Sequence, residues 1–301
     1  MFIYPSLHAI RVNPDPGGST LAIFLFALAL LQAGASNVDP GITVTPDATL
    51  EFAEQFVNRI EPVSQPNDEP LARYTDPVCV GSAGLPADAA QVIVDRISEV
   101  AVSVGLRTGR SGCAPNLMVV FDTDTPAAVQ RLHQNRSRAV ASQSRADIRR
   151  IVGEAGQARA WTEVAVKSRD GDLQSQDTPN NPPSLRVSTS TRLSMPIRRD
   201  ILSATVLIER DAVADRNLMQ IADYAAMRAL TGARSRAELG ASSVLSLFTP
   251  QGDSRAPEGL TALDRGYLKG LYSGRGDLWP MTKRDYIARS IVREKQAGSP
   301  D

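Results

Sequence analysis

Apolar positions along the chain fall into two rhythms. Over residues 47–60 they stand at Leu50, Ala53, Phe56, Val57 and Ile60, a three- and four-residue spacing that predicts a helix with one buried stripe. The same rhythm over 87–104, through Val92, Ile93, Ile97, Val100, Ala101 and Val104, predicts a second helix that Gly105 stops. Short apolar runs at 78–81, 117–121, 160–166 and 205–209 read as strands. The run 117–121 (Leu-Met-Val-Val-Phe) is continuous and fits a strand covered on both faces. Residues 185–195 alternate loosely and suit an edge strand, after a polar loop at 168–183.

Helical rhythm returns later. Thr125 as cap with Pro126 at the first position opens a helix. Asp211 or Asp215 caps another that runs over 218–230, and further helices fit 260–272 and 281–295. The last of these turns Tyr286, Ile287, Ile291 and Val292 to its apolar side. Strands are concentrated before residue 210 and the end is helical. That order predicts an α+β fold, a mixed β-sheet covered by helices with a helical C-terminal part. Four prolines over 61–77 separate an N-terminal helix and linker, 36–77, from the main domain, 78–301.

The run 21–31 is apolar but shorter than the roughly 20 residues of a membrane span. It fits the core of a signal peptide over 1–35, with Ala33-Gly34-Ala35 as the cleavage site. The expected location is periplasmic or secreted. An uncleaved anchor is the alternative, and membrane contact is then confined to this N-terminal segment. The two cysteines, Cys79 and Cys113, each precede or flank a strand-like run, and in an oxidising compartment an even count predicts a bridge.

The 301-residue chain carries 33 basic and 33 acidic residues, which gives no electrostatic footprint for nucleic acid. Seven arginines between Arg131 and Arg159 read as a solvated helical face over Ile148, Ile151 and Val152, or as an anion-binding patch. No G-x-S-x-G elbow, G-x-G-x-x-G or Walker pattern occurs.

The strand at 205–209, the helix at 218–230, the run Ser243 to Phe248 and the helix at 260–272 (Leu-Thr-Ala-Leu-Asp-Arg-Gly-Tyr-Leu-Lys-Gly-Leu-Tyr) follow one another in an order that resembles the active-site half of a metzincin-type zincin metalloprotease. Aligned to H-E-x-x-H-x-x-G-x-x-H, Gln220 replaces the first His, Ile221 the Glu, Tyr224 the second His, Met227 the Gly and Leu230 the third His. His133 is the only histidine after the leader, so a three-His zinc site cannot be built. The resemblance implies an exported family whose zincin-like domain has lost its ligands, with no metal, cofactor or catalytic residue. Its cleft would retain Gln220, Asp223, Tyr224 and Glu209 as binding candidates, for an envelope protein or peptide added along a strand.

Two other functions fit the same residues. One is a metal-independent envelope hydrolase using carboxylates near Glu209 and Asp223. The other is a purely structural envelope component. Within the bland reading, 218–230 is a buried helix, Asp223 pairs with an arginine, and Thr261 with Asp264 forms a capping box.

Overall fold

A computed structural model describes residues 46–61, 68–175, 182–187, 194–214 and 216–297. The signal peptide expected over 1–35 lies outside the described residues. Two helices begin where the stripes place them. Helix α1, Pro46–Ile60, buries Ala53, Phe56, Val57 and Ile60 on one side. Helix α2, Ala87–Ser103, buries Ile93, Ile97, Val100 and Ala101, while Val92 from the expected stripe is 37% exposed.

Four strands form one mixed sheet. They are β1, Val80–Ala83; β2, Leu117–Asp122; β3, Ala158–Ser168; and β4, Ile197–Glu209. Their order is β1-β2-β4-β3, with β1, β2 and β4 parallel and β3 antiparallel to β4. Leu117, Val119 and Phe121 on β2, with Ala204, Val206 and Ile208 on β4, face the main core; Leu207 and Trp161 face a second cluster. The main core is filled by α2 and by α5, Leu218–Thr231. The second is built from α3, Thr125–Gln134, and α4, Arg145–Val152, through Val129, Ile148 and Ile151. The α+β architecture with helices on a mixed sheet is therefore present.

The C-terminal part is helical, as α6, Ala262–Tyr272, and α7, Pro280–Ala297. These two helices approach closely through glycine. A Cβ on Gly266 would stand 2.5 Å from the Ile291 Cα, and one on Gly270 would stand 2.5 Å from the Ile287 Cα. Helix α1 packs on α7, and Arg284 of α7 grips Glu61 through Nε at 2.7 Å and Nη2 at 2.8 Å. Residues 70–77 are seated rather than trailing: Leu71 and Tyr74 are buried, and Arg73 forms a parallel bridge to Asp200 of β4. The described residues make one compact unit.

Several local expectations are corrected. The first strand starts two residues later than expected, and Val78 instead bridges to Thr108. Asp124 caps α3, because its side chain accepts from Ala127 N, and this moves Thr125 inside the helix. Asn217 caps α5; Asp211 lies in a short 3-10 turn, Arg210–Val213, that separates β4 from the helix. No edge strand occurs among the described residues of 185–195, and β3 is itself the edge. β2 is fully buried on one face only, since Met118 and Val120 are half-buried. Tyr286 is 47% exposed, while Ile287, Ser290 and Ile291 line the face toward α6. Cys79 and Cys113 are disulfide-bonded with Cα atoms 6.1 Å apart, within the reach of a bridge. That bond fits a location outside the cytoplasm. Among the described residues, no helix is long and apolar enough to cross a membrane.

Candidate functional site

Helix α5 is the centre of the molecule. From Ile221 to Thr231 every residue is buried, because α2, α6 and the 243–248 segment close over the sides that the sheet does not reach. A helix enclosed on all sides must satisfy its polar side chains internally, and α5 does so except at Arg228 Nε, which is buried without a hydrogen-bond partner among the described residues. Asp223 accepts from Arg96 Nε at 2.7 Å, from Arg96 Nη2 at 3.1 Å and from Leu260 N at 2.9 Å. Tyr224 Oη lies 2.6 Å from Ser235 Oγ and accepts from Arg228 Nη1 at 2.7 Å. Arg228, 1% exposed, also donates to Glu154 Oε2 at 3.0 Å. Burial raises the Tyr224 phenol, while Arg228 stays firmly charged against Glu154 despite its burial.

Gln220, Asp223, Tyr224 and Glu209 do not converge on open space. Gln220 donates through Nε2 to the Pro257 carbonyl at 2.7 Å. Tyr224 is wholly buried, in edge-to-face contact with Phe248 at a centroid distance of 4.9 Å. Met227 and Leu247 are buried beside the same core. Glu209, at the end of β4, accepts from Thr125 Oγ1 at 3.3 Å. The 243–248 segment is tied to α6 rather than to a ligand: Asp264 accepts from Ser243 Oγ at 2.5 Å and from Val244 N at 3.0 Å, and forms the capping box with Thr261. Burial raises the Asp264 carboxyl above its ordinary range in spite of these donors. Among the described residues, no three His, Cys, Asp or Glu side chains come together as a metal site.

Open space lies instead beside β3. A pocket of about 280 Å³ follows the outer side of this edge strand and is lined by Thr162 and Val164 of β3, Arg150 and Glu154, Arg199 of β4, and Arg234. It is bounded by α4 on one side and by the chain leaving α5 on the other. Gly232 ends α5 with φ of +68°, which turns the chain toward the pocket. Arg150 is held by Asp147 at 2.5 Å, and Arg199 by Glu69 at 3.2 Å. Arg234 has no such carboxylate, and its buried Nη2 has no hydrogen-bond partner. Burial first, and then neighbouring Arg150, hold its guanidinium below the usual range. Asp147 and Glu154 stand in the same lining, and Arg234 is the lining guanidinium left without a carboxylate in ion-pair range among the described residues. Gln143 Nε2 caps the Thr162 carbonyl at 3.1 Å, so one outward backbone group of the edge is already engaged.

The arginine-rich stretch supplied part of this pocket, but not as a uniform solvated face. Arg150 lines it, and Arg159 is buried and donates to the Gly156 carbonyl at 2.6 Å. Arg199 and Arg234 stand outside the stretch, and no spacing linked them to it. No protein-family model matches the chain, and neither a curated protein nor a solved structure matches it.

Proposed function

We propose that the chain is an exported, noncatalytic binding protein of the cell envelope, with a zincin-like domain whose former catalytic space is filled. The observation that carries this reading is the packing of Tyr224, fully buried and bonded to Arg228 and Ser235, where the resemblance puts the second zinc-binding His. The succession of β4, α5, the 243–248 segment and α6 supports the resemblance. Asp223 accepts three hydrogen bonds from Arg96 and Leu260 and is buried, which ties it to a structural pairing rather than to acid–base work. No observation favours the hydrolase.

The ligand best suited to the remaining opening is an extended acidic peptide. An edge strand offers backbone pairing, and Arg150 and Arg234 supply the matching charge. The apolar run of the leader and the disulfide support a periplasmic or secreted location. Fluorescence anisotropy with acidic and basic peptides of equal length tests the binding. The acidic peptide binds more tightly, and Arg234→Glu weakens it about tenfold, as loss and reversal of one charged contact implies. Equal affinity for both peptides rejects the site. The purified chain also shows no chelator-sensitive peptidase activity, and Gln220→His with Tyr224→His does not create it; measurable peptide turnover rejects the noncatalytic reading. N-terminal sequencing of the exported protein gives Ser36 first, and a start upstream of Leu31 rejects cleavage.

A further inference from the structure

A second pocket, of about 220 Å³, is lined by Arg73, Thr75, Arg169, Arg198, Arg275 and Asp277, with Gly276 in its wall. Four guanidiniums face one carboxylate. They come from four places: the seated 70–77 segment, the residue after β3, the start of β4, and the turn between α6 and α7.

The carboxylates nearby do not balance these charges. Asp277, 4% exposed, is taken by Arg275, whose Nε reaches Oδ1 at 2.8 Å and whose Nη2 reaches Oδ2 at 2.5 Å. Asp200, 1% exposed, is shared between Lys167 Nζ at 2.9 Å and Arg198 Nη2 at 3.2 Å. Arg169 comes no closer than 3.8 Å to Asp170 and 3.9 Å to Asp277, outside hydrogen-bond range. Arg73 directs Nη1 to the carbonyls of Leu271, Tyr272 and Gly274 at the end of α6. The Nε atoms of both Arg73 and Arg198 are buried without a hydrogen-bond partner.

An unmet buried N–H on a charged group is costly, and two such arginines here line one open pocket. The space beside them is kept by glycine. A Cβ on Gly276 would stand 3.0 Å from Arg73 Nε, and one on Gly171 would stand 3.1 Å from Arg198 Nη2. We propose that this pocket binds a phosphate group, through Arg73, Arg169 and Arg198.

The chemistry selects phosphate over a carboxylate. A carboxylate is planar and matches one guanidinium fork, as Asp277 already does with Arg275. A tetrahedral dianion presents oxygens in several directions and answers donors that arrive from three separate segments. No aromatic side chain lines the pocket, so recognition ends at the phosphate and includes no stacked base. Inorganic phosphate, a soluble phosphoester and a phospholipid headgroup share this chemistry.

The test uses the full chain and three probes at matched ionic strength: inorganic phosphate, chloride, and vesicles of phosphatidylcholine with or without phosphatidic acid. Phosphate raises the Tm above the chloride control and gives a saturable calorimetric isotherm. Arg198→Ala and Arg169→Ala each weaken it roughly tenfold, the loss of one charge-assisted hydrogen bond. Arg198 also holds buried Asp200, so that variant can lose stability. Arg169 makes no side-chain hydrogen bond among the described residues, and Arg169→Ala keeps the test decisive. Sedimentation with phosphatidic-acid vesicles, lost in Arg169→Ala, assigns the headgroup; phosphate binding without sedimentation assigns a soluble phosphate. Stabilisation no greater than chloride gives, or phosphate affinity unchanged in Arg169→Ala, overturns the proposal.

Discussion

Arg96 on α2 grips Asp223 on α5 through both carboxylate oxygens, at 2.7 Å from Nε and 3.1 Å from Nη2. The pair is asymmetric in exposure: the Arg96 side chain is 29% accessible and that of Asp223 only 3%. Removing Arg96 leaves a carboxylate stranded in the interior, with Leu260 N as its remaining donor. Removing Asp223 leaves a guanidinium that can still reach water and Glu99. Arg96→Ala therefore costs more stability than Asp223→Ala, about 3–5 kcal/mol for the former. The double variant costs less than the two losses added together. Urea unfolding of the three proteins measures this. Equal losses for the two single variants would show that the interior does not isolate the carboxylate.

The Cys79–Cys113 bridge closes a loop of 34 residues. On the chain-entropy model a loop of that length contributes about 3–4 kcal/mol by restricting the unfolded chain. Cys79→Ser with Cys113→Ser lowers stability by this order, and a reductant lowers the wild-type protein to the same level. A loss under about 1 kcal/mol would mean that the unfolded chain already holds the two segments together.

Gly270 gives α6 and α7 their close contact. An added methyl meets the Ile287 backbone, which cannot swing aside as a flexible side chain does. Gly270→Ala gains helix propensity of about 1 kcal/mol but overpacks the interface by about 1–3 kcal/mol. The expected net effect is destabilising. Gly274, with open space around its Cβ position, is a poor control because its φ is +63°. Arg293→Ala, at an exposed position of α7, is better. A lower Tm in Gly270→Ala than in that control supports the tight contact, and an equal or higher Tm counts against it.

Elements whose buried stripe lies on one face were legible from spacing. Ala53, Phe56, Val57 and Ile60 mark α1, and Ile93, Ile97 and Val100 mark α2. Strand β4 was read as five residues and runs for 13. Its first half, Ile-Arg-Arg-Asp, carries charges that a strand pattern rejects. They are tolerated because Arg199 meets Glu69 and Asp200 meets Lys167 and Arg198. The caps were missed by one and two residues because Asp124 and Asn217 stand beside equally plausible caps, Thr125 and Asp215. On α5 the sequence located the helix and its lack of histidine, but not that Tyr224 points into a closed network. Glu154 and Ser235, which complete that network, come from segments with no periodic link to α5. The two arginine pockets were illegible for the same reason, since each draws side chains from at least three separated stretches.

Lys283 gives the sharpest dependence on pH. It is 3% exposed and donates through Nζ to the carbonyls of Ser273 at 2.5 Å and Gly270 at 3.3 Å, near the end of α6. Burial, reinforced by repulsion from Arg73, pulls its ammonium from the ordinary 10.5 down to about 7. In the unfolded chain the same group titrates near its ordinary value. Between pH 7 and 10.5 the unfolded state therefore binds more protons than the folded state, and stability rises with pH across that window. Below pH 7 both states are charged, and the cost of the buried ammonium is carried in full. Lys283→Met has no such proton to lose. The stability of wild type minus that of Lys283→Met should rise from pH 7 to pH 10, by an amount of the order of 3 kcal/mol. Taking the difference cancels the other groups that titrate in the range, including the buried tyrosines. Urea midpoints of the two proteins at half-unit pH intervals measure it. A difference that stays flat would show that the Ser273 and Gly270 carbonyls hold the ammonium charged, and that its titration is not displaced into this window.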